Sequence, residues 1–290
     1  MNTILVTGSL LAVYLIWGST YLAMKIAVHS SPPYLMSGIR FFIAGIIFYL
    51  ILKIRKTDNP SLRQWLNSIL VGLLFFAGGT GLVGYAQCWV NSSAASMAVA
   101  IIPIWICLFS IILKEYPGRR EILGVGIGFL GIVVLNLSAQ MHVEPTGGLL
   151  LFFSPLLWSI GTILTRHLDL PAGAMRSAAQ LLGGGAMCLL ISFLIREPFV
   201  LPDTAGVWSV IYLIIFGSLI AFTAYNYLLS NASPVLATSY AFVNPIVAAL
   251  LGVATGESWS HKLTIALLLI CLGVIFVILG QNERKAAKPK

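Results

Sequence analysis

The chain has 290 residues, of which 59% are hydrophobic and 9% charged, with a mean hydropathy of +0.96 and a net charge of +8. Soluble domains carry about 25% charged residues, so this composition excludes a soluble globular protein and points to many membrane crossings. The basic excess requires no nucleic acid, because Lys and Arg gathered on the cytoplasmic face of a bilayer produce it.

In chain order, apolar runs of about 20 residues predict spans over 4–26, 33–52, 66–86, 93–113, 121–138, 148–165, 174–195, 207–229, 235–255 and 263–281. These ten helices fill the chain. The runs are continuous rather than alternating, which argues against a β-barrel. No Lys or Arg precedes the first run, so 4–26 reads as a true span and not a cleaved signal peptide. Loops on one side hold thirteen Lys and Arg, from Lys53 and Arg63 through Arg119 and Arg176 to the tail Arg284–Lys290. The other side has Lys25, Arg196 and Lys262. The richer side is expected to be the cytoplasm, with both termini there.

The first span carries Tyr14, Trp17, Tyr21 and Lys25 on one helical face. Trp17 is expected to line a cavity, whereas Tyr21 and Lys25 suit either a cavity wall or anchors at the membrane interface. Arg40 is the eighth residue of the second span, about 10 Å along the helix from its end. An intramembrane arginine is costly. It either snorkels to the headgroups or serves as a cavity cation for a carboxylate or other anionic group. In the third span Thr80, Gly84, Gln87 and Asn91 share a polar face that must look inward. Ser218, Tyr225 and Asn226 of the eighth could likewise bind a polar solute, or only tie helices together.

Pro103 and Pro245 lie near the middle of the fourth and ninth spans. Each removes one backbone hydrogen bond to the carbonyl four residues earlier, giving a packing kink or a hinge beside a cavity. Asn244, and Tyr240 one turn before it, are expected to face that cavity. Glu115 and Glu257 close the same two spans, where the helix dipole disfavours a carboxylate. They suit gating ion pairs or static interface pairs, with Arg119, Arg120 and Lys262 near in sequence. All nine acidic residues fall in loops or at span ends, so no proton relay is visible. Cys88, Cys107, Cys188 and Cys271 lack metal spacing and read as buried apolar thiols.

The chain is written twice. Pro103 falls on Pro245 and Glu115 on Glu257 at an offset of 142, and this frame continues until Gly131 meets Gly273. At slightly smaller offsets Trp17 meets Trp158, Lys25 meets Arg166, and Arg40 meets Gln180 through Gly45 and Gly185, so Trp158 and Gln180 are expected at the cavity as well. Five spans per copy is an odd number, so the second copy must enter the membrane upside down. The Lys and Arg distribution agrees independently. Residues 1–140 form the first repeat, 146–282 the inverted second and 283–290 a basic tail. Inverted repeats of this kind mark secondary transporters.

The stretches LIWGSTYLAMKIA at 15–27, PPYLMSGIRFFIAG at 32–45 and SPVLATSYAFVNPIVAALLG at 233–252 resemble the EamA family of the drug/metabolite transporter superfamily. Within it they are similar to the YedA- and PecM-like bacterial inner-membrane exporters. The resemblance covers essentially the whole chain. It implies export of small organic metabolites, such as amino acids, drugs or aromatic compounds, across the inner or plasma membrane by alternating access. An uptake permease or exchanger of the same fold is the alternative, and a channel a weaker one, because no acidic ring or carbonyl filter occurs. The expected partners are a small-molecule substrate and the lipid bilayer, with a homo-oligomer left open. No cofactor or metal is expected. No Ser-His set, HExxH or phosphate-binding loop points to an enzyme.

Overall fold

The computed structural model describes residues 3–90, 92–136, 144–254 and 261–286. Among the described residues every regular element is helical. The chain opens with α1 (Thr3–Ser30) and α2 (Pro33–Ile54). Pro33 sits in the first turn of α2, where its missing N–H is no loss. The Glu197 carboxylate accepts from the backbone N–H groups of Tyr34 (3.1 Å) and Leu35 (2.7 Å), supplying the cap that α2 itself lacks.

The third span begins as α3 (Leu62–Gly72), opened by a Ser61–Gln64 capping box. It then widens into a π-helical stretch over Leu73–Gly81 and ends as α4 (Leu82–Ala86). The fourth is α5 (Ser92–Val99) followed by α6 (Ile102–Ile112), and α7 (Arg119–Asn136) follows. The second half runs through α8 (Pro145–His167), α9 (Ala174–Leu194) and α10 (Thr204–Tyr212). A second π-helical stretch over Leu213–Ile220 leads to α11 (Ala221–Asn231). The chain closes with α12 (Pro234–Thr238), α13 (Tyr240–Ala254) and α14 (His261–Ala286).

Among the described residues nine helical runs are long and apolar enough to cross a membrane. The helix expected as a fifth span, α7, is not one of them. Its 18 residues include Arg119, Arg120 and Glu121 in the first turn.

The packing is set by small residues. Helix α2 lies along α9 and α7 along α14. A Cβ on Gly45 would come within 2.6 Å of the Leu182 backbone nitrogen, and one on Gly124 within 2.5 Å of the Gly273 carbonyl oxygen. Only glycine permits backbones to approach this closely. Helix α1 packs on α10, α11 and α13, while α8 packs on the third span, α5 and α6. Large apolar side chains such as Leu15, Phe193 and Leu268 point outward, as lipid-facing residues do.

The interruptions in the fourth and ninth spans fall near, but not on, the two prolines. The fourth breaks at Ala100 and Ile101, where Ile101 N–H reaches the Ala98 carbonyl three residues back (3.4 Å), and Pro103 occupies the first turn of α6. The ninth breaks at Ser239, while Pro245 lies inside α13. The cysteines also depart from expectation. Cys188 is buried, but Cys88 and Cys271 are exposed. A thiol is apolar enough to face lipid as readily as protein, so burial in a membrane span does not imply burial in the protein.

Candidate functional site: a central aromatic cavity

Trp17 and Trp158, which the sequence pairs, meet at the middle of the bundle. Their ring centroids are 5.4 Å apart, edge to face. Tyr225 and Tyr240 complete the cluster, with centroids 5.1 and 4.6 Å from that of Trp17, and Phe75 packs against Trp158 at a tilt, centroids 4.7 Å apart. Three of the polar tips are bonded. Trp17 Nε1 donates to the Gly217 carbonyl (3.0 Å), Trp158 Nε1 to the Tyr225 hydroxyl (3.3 Å), and the Tyr225 and Thr162 hydroxyls bond at 2.6 Å.

Above this cluster lies a cavity of about 70 Å³. It reaches toward the end of the bundle at which α1 stops and α2 starts. Its wall includes Trp17, Thr20, Tyr21, Met24, Arg40, Phe41, Thr80, Val83, Ser154, Trp158, Tyr240 and Asn244. Of the residues expected at a cavity, Trp17, Arg40, Trp158, Tyr240 and Asn244 are thus gathered in one wall.

Arg40 is 3% exposed and is held at two points. Its Nε donates to Ser218 Oγ (3.0 Å), and its guanidinium carbon lies 4.5 Å from the centre of the Phe41 ring. Gly217 makes room for it, since a Cβ there would stand 2.6 Å from Nη2. Among the described residues no carboxylate lies within ion-pair distance of Arg40. Asn244 is fully buried in the wall, and neither its amide oxygen nor its nitrogen has a partner with hydrogen-bond geometry. The Tyr21 hydroxyl is its polar neighbour.

The two π-helical stretches shape this wall. A π turn leaves carbonyls free, and side chains take them. The Ser154 hydroxyl donates to the Gly79 carbonyl (3.0 Å), Tyr34 to that of Ala77 (3.3 Å) and Trp17 to that of Gly217. The matching widenings in the third and eighth spans therefore bring backbone acceptors to both sides of the cavity.

Other candidates sit outside the wall. Gln87 is buried and donates to the Tyr21 carbonyl (3.2 Å). Tyr225 plugs the floor. Asn226 Nδ2 donates to Gln180 Oε1 (2.8 Å) and Ser177 Oγ (3.0 Å), closing the bundle on the far side of the aromatic cluster. Asn91 and Glu257 lie outside the described residues. Glu115 pairs with His167 Nε2 at 3.2 Å, not with the sequence neighbours Arg119 and Arg120. Tyr21 is buried in the cavity wall rather than anchored at an interface. Lys25 Nζ donates to the carbonyls of Gln87 and Val90, and its twin Arg166 to those of Leu229 (2.8 Å) and Ala232 (3.0 Å). Both cations thus cap equivalent helix ends.

Sequence reasoning passed over Thr20 and Ser154. Their signal is spacing: Thr20 is three residues after Trp17 and Ser154 four before Trp158, on the same helical faces.

Apolar helices around a central aromatic and polar cavity define a multi-pass membrane transporter. The chain belongs to the EamA-like transporter family, whose model matches residues 6–137 and again 145–279. It is 39% identical over 277 residues to the uncharacterized inner membrane transporter YedA of Escherichia coli strain K12, covering 94% of this chain and 90% of that one. It is 26% identical to protein PecM of Dickeya dadantii, over 94% of this chain and 93% of that one. A crystal structure at 22% sequence identity shares the fold with a TM-score of 0.77, covering 98% of this chain and 99% of that one.

Proposed function

We propose that the protein is a ten-helix secondary transporter, built as two inverted repeats of five, that exports small organic metabolites by alternating access. In this reading α7 is the tenth crossing, the thirteen Lys and Arg mark the cytoplasm, and the cavity faces outward.

One observation carries the reading: equivalent positions are filled in one half and empty in the other. At the offset of 142 that relates the Lys25 and Arg166 acceptors, Tyr225 and Asn226 answer to Val83 and Gly84. Tyr225 and Asn226 fill the cytoplasmic side and bond across it. Gly84 leaves its side open, with nothing nearer than 3.7 Å to a Cβ placed there. A pseudo-symmetric bundle closed at one end and open at the other implies a partner state with the ends exchanged. Export, rather than uptake or exchange, is what the resemblance of the stretches at 15–27, 32–45 and 233–252 implies.

The test is reconstitution into proteoliposomes. Saturable exchange across a panel of amino acids, drugs and aromatic metabolites, without single-channel current, is the expected result. Unitary currents, or no flux for any member of the panel, would overturn it.

A further inference from the structure

We infer that the cavity selects organic anions, in particular a monocarboxylate on a flat apolar body that carries no ammonium group. This rests on the transporter reading above and narrows the substrate class of the same site.

Three features lead there. The first is the charge of the wall. Arg40 is a cation at 3% exposure that no described carboxylate neutralises, and no Asp or Glu lines the cavity. A buried guanidinium is stabilised by a carboxylate that meets its planar fork. The Nε of Arg40 is already committed to Ser218, which fixes the plane of the group. An ammonium brought into the same cavity would find no counter-charge and would be repelled by Arg40.

The second feature is that the fold does not need this charge. The equivalent residue of the other half is Gln180, which does its packing as a neutral amide bonded to Asn226. The serine one turn earlier is shared, as Ser37 and Ser177. Ser177 accepts from Asn226, whereas Ser37 Oγ is fully buried without a partner, beside the vacant Cβ position of Gly84. The cation and the orphaned Ser37 hydroxyl therefore occur together in the first half, which supplies most of the cavity wall, while the second half has neutral amides there, with Gln180 Nε2 and Asn226 Oδ1 unbonded.

The third feature is the rest of the surface. Trp17, Trp158, Tyr240 and Phe76 offer ring faces and edges to an aromatic or planar body. Asn244 supplies an unpaired donor and acceptor for one neutral polar substituent.

Three molecules sharing a phenylethyl skeleton separate the possibilities: 3-phenylpropionate, phenylalanine and phenethylamine. Binding to the purified protein is read by tryptophan fluorescence and calorimetry, and each is tried as a counterflow substrate. The anion is expected to bind about tenfold or more tighter than the zwitterion, and the amine not to bind. Arg40→Gln should erase the preference, while Arg40→Lys retains part of it. The ranking on the native chain stands even should Arg40→Gln not fold. A zwitterion or amine that binds as well as the anion overturns the inference, as does binding of none of the three, or an unchanged preference in Arg40→Gln. Flux of other solutes alongside such a failure leaves the transporter reading intact. Arg40-dependent anion binding with no flux of any solute sinks that reading instead.

Discussion

Trp17 and Trp158, paired in the sequence, touch each other at the centre of the bundle, with Tyr225 packed against both. The floor of the cavity is thus made where the two halves of the chain meet, and in the proposed transport cycle Tyr225 is the group that keeps one side of it shut. Tyr225→Phe keeps the ring but removes the bonds to Thr162 and Trp158. The expected cost is about 1 kcal/mol of stability, with cysteine-accessibility labelling moving toward the cytoplasmic side. Labelling unchanged from the parent would show that the hydroxyl does not hold that side closed.

Asn244 separates stability from function. Its amide is buried without a well-formed hydrogen bond, so Asn244→Leu removes a desolvated polar group at the cost only of its contact with the Tyr21 hydroxyl. The variant should melt no lower than the parent while its apparent substrate affinity falls about tenfold. Pro245→Ala should likewise be no less stable, since a backbone bond to Ala241 can form, yet transport more slowly. Normal transport by both, at matched membrane levels, would reduce the pair to packing.

Asp203 caps the start of α10 and ties it to the end of α1. Its Oδ1 accepts from Gly206 N–H (2.7 Å) and the Ser30 hydroxyl (3.0 Å). These bonds, the backbone one foremost, hold its carboxyl below the usual 3.8. A carboxyl with a depressed folded pKa stabilises the fold above the unfolded value and loses that contribution as pH falls through the folded one. The difference in melting temperature between the parent and Asp203→Ala should therefore be full at neutral pH. It should shrink as the pH is taken below 3.8. A difference independent of pH would mean that only the shape of the side chain matters.

Orientation has its own test. Reporter fusions at Gln140 and Lys290 should read outside and inside respectively, as the Lys and Arg distribution requires. The same side for both would break the odd-numbered repeat on which the inverted arrangement depends.

Lys25 and Arg166 offer a test of the repeat in solution. Each donates to two carbonyls at the end of a helix. Lys25→Met and Arg166→Met should each lower the melting temperature, and Lys25→Arg should restore it, because the twin position already uses arginine. Failure of that exchange would mean the two caps are only superficially alike.

By itself the sequence determined the membrane setting, the positions of the apolar helices, the doubled pattern of Trp17–Trp158 and Pro103–Pro245, and the presence of a cation at Arg40. These follow from hydropathy and spacing, which are local properties of the chain. The tertiary structure decided which polar groups share a wall. Helical periodicity tells which face a residue is on but not what stands opposite, so Gln87, Gln180 and Asn226 were indistinguishable from Asn244 until their partners were seen. The choice of His167 by Glu115 lies 52 residues along the chain, beyond any sequence neighbourhood. The π-helical widenings of the third and eighth spans were equally hidden. An α turn and a π turn differ only in which carbonyl each N–H selects, and here Ser154, Tyr34 and Trp17 from other helices take the carbonyls left free.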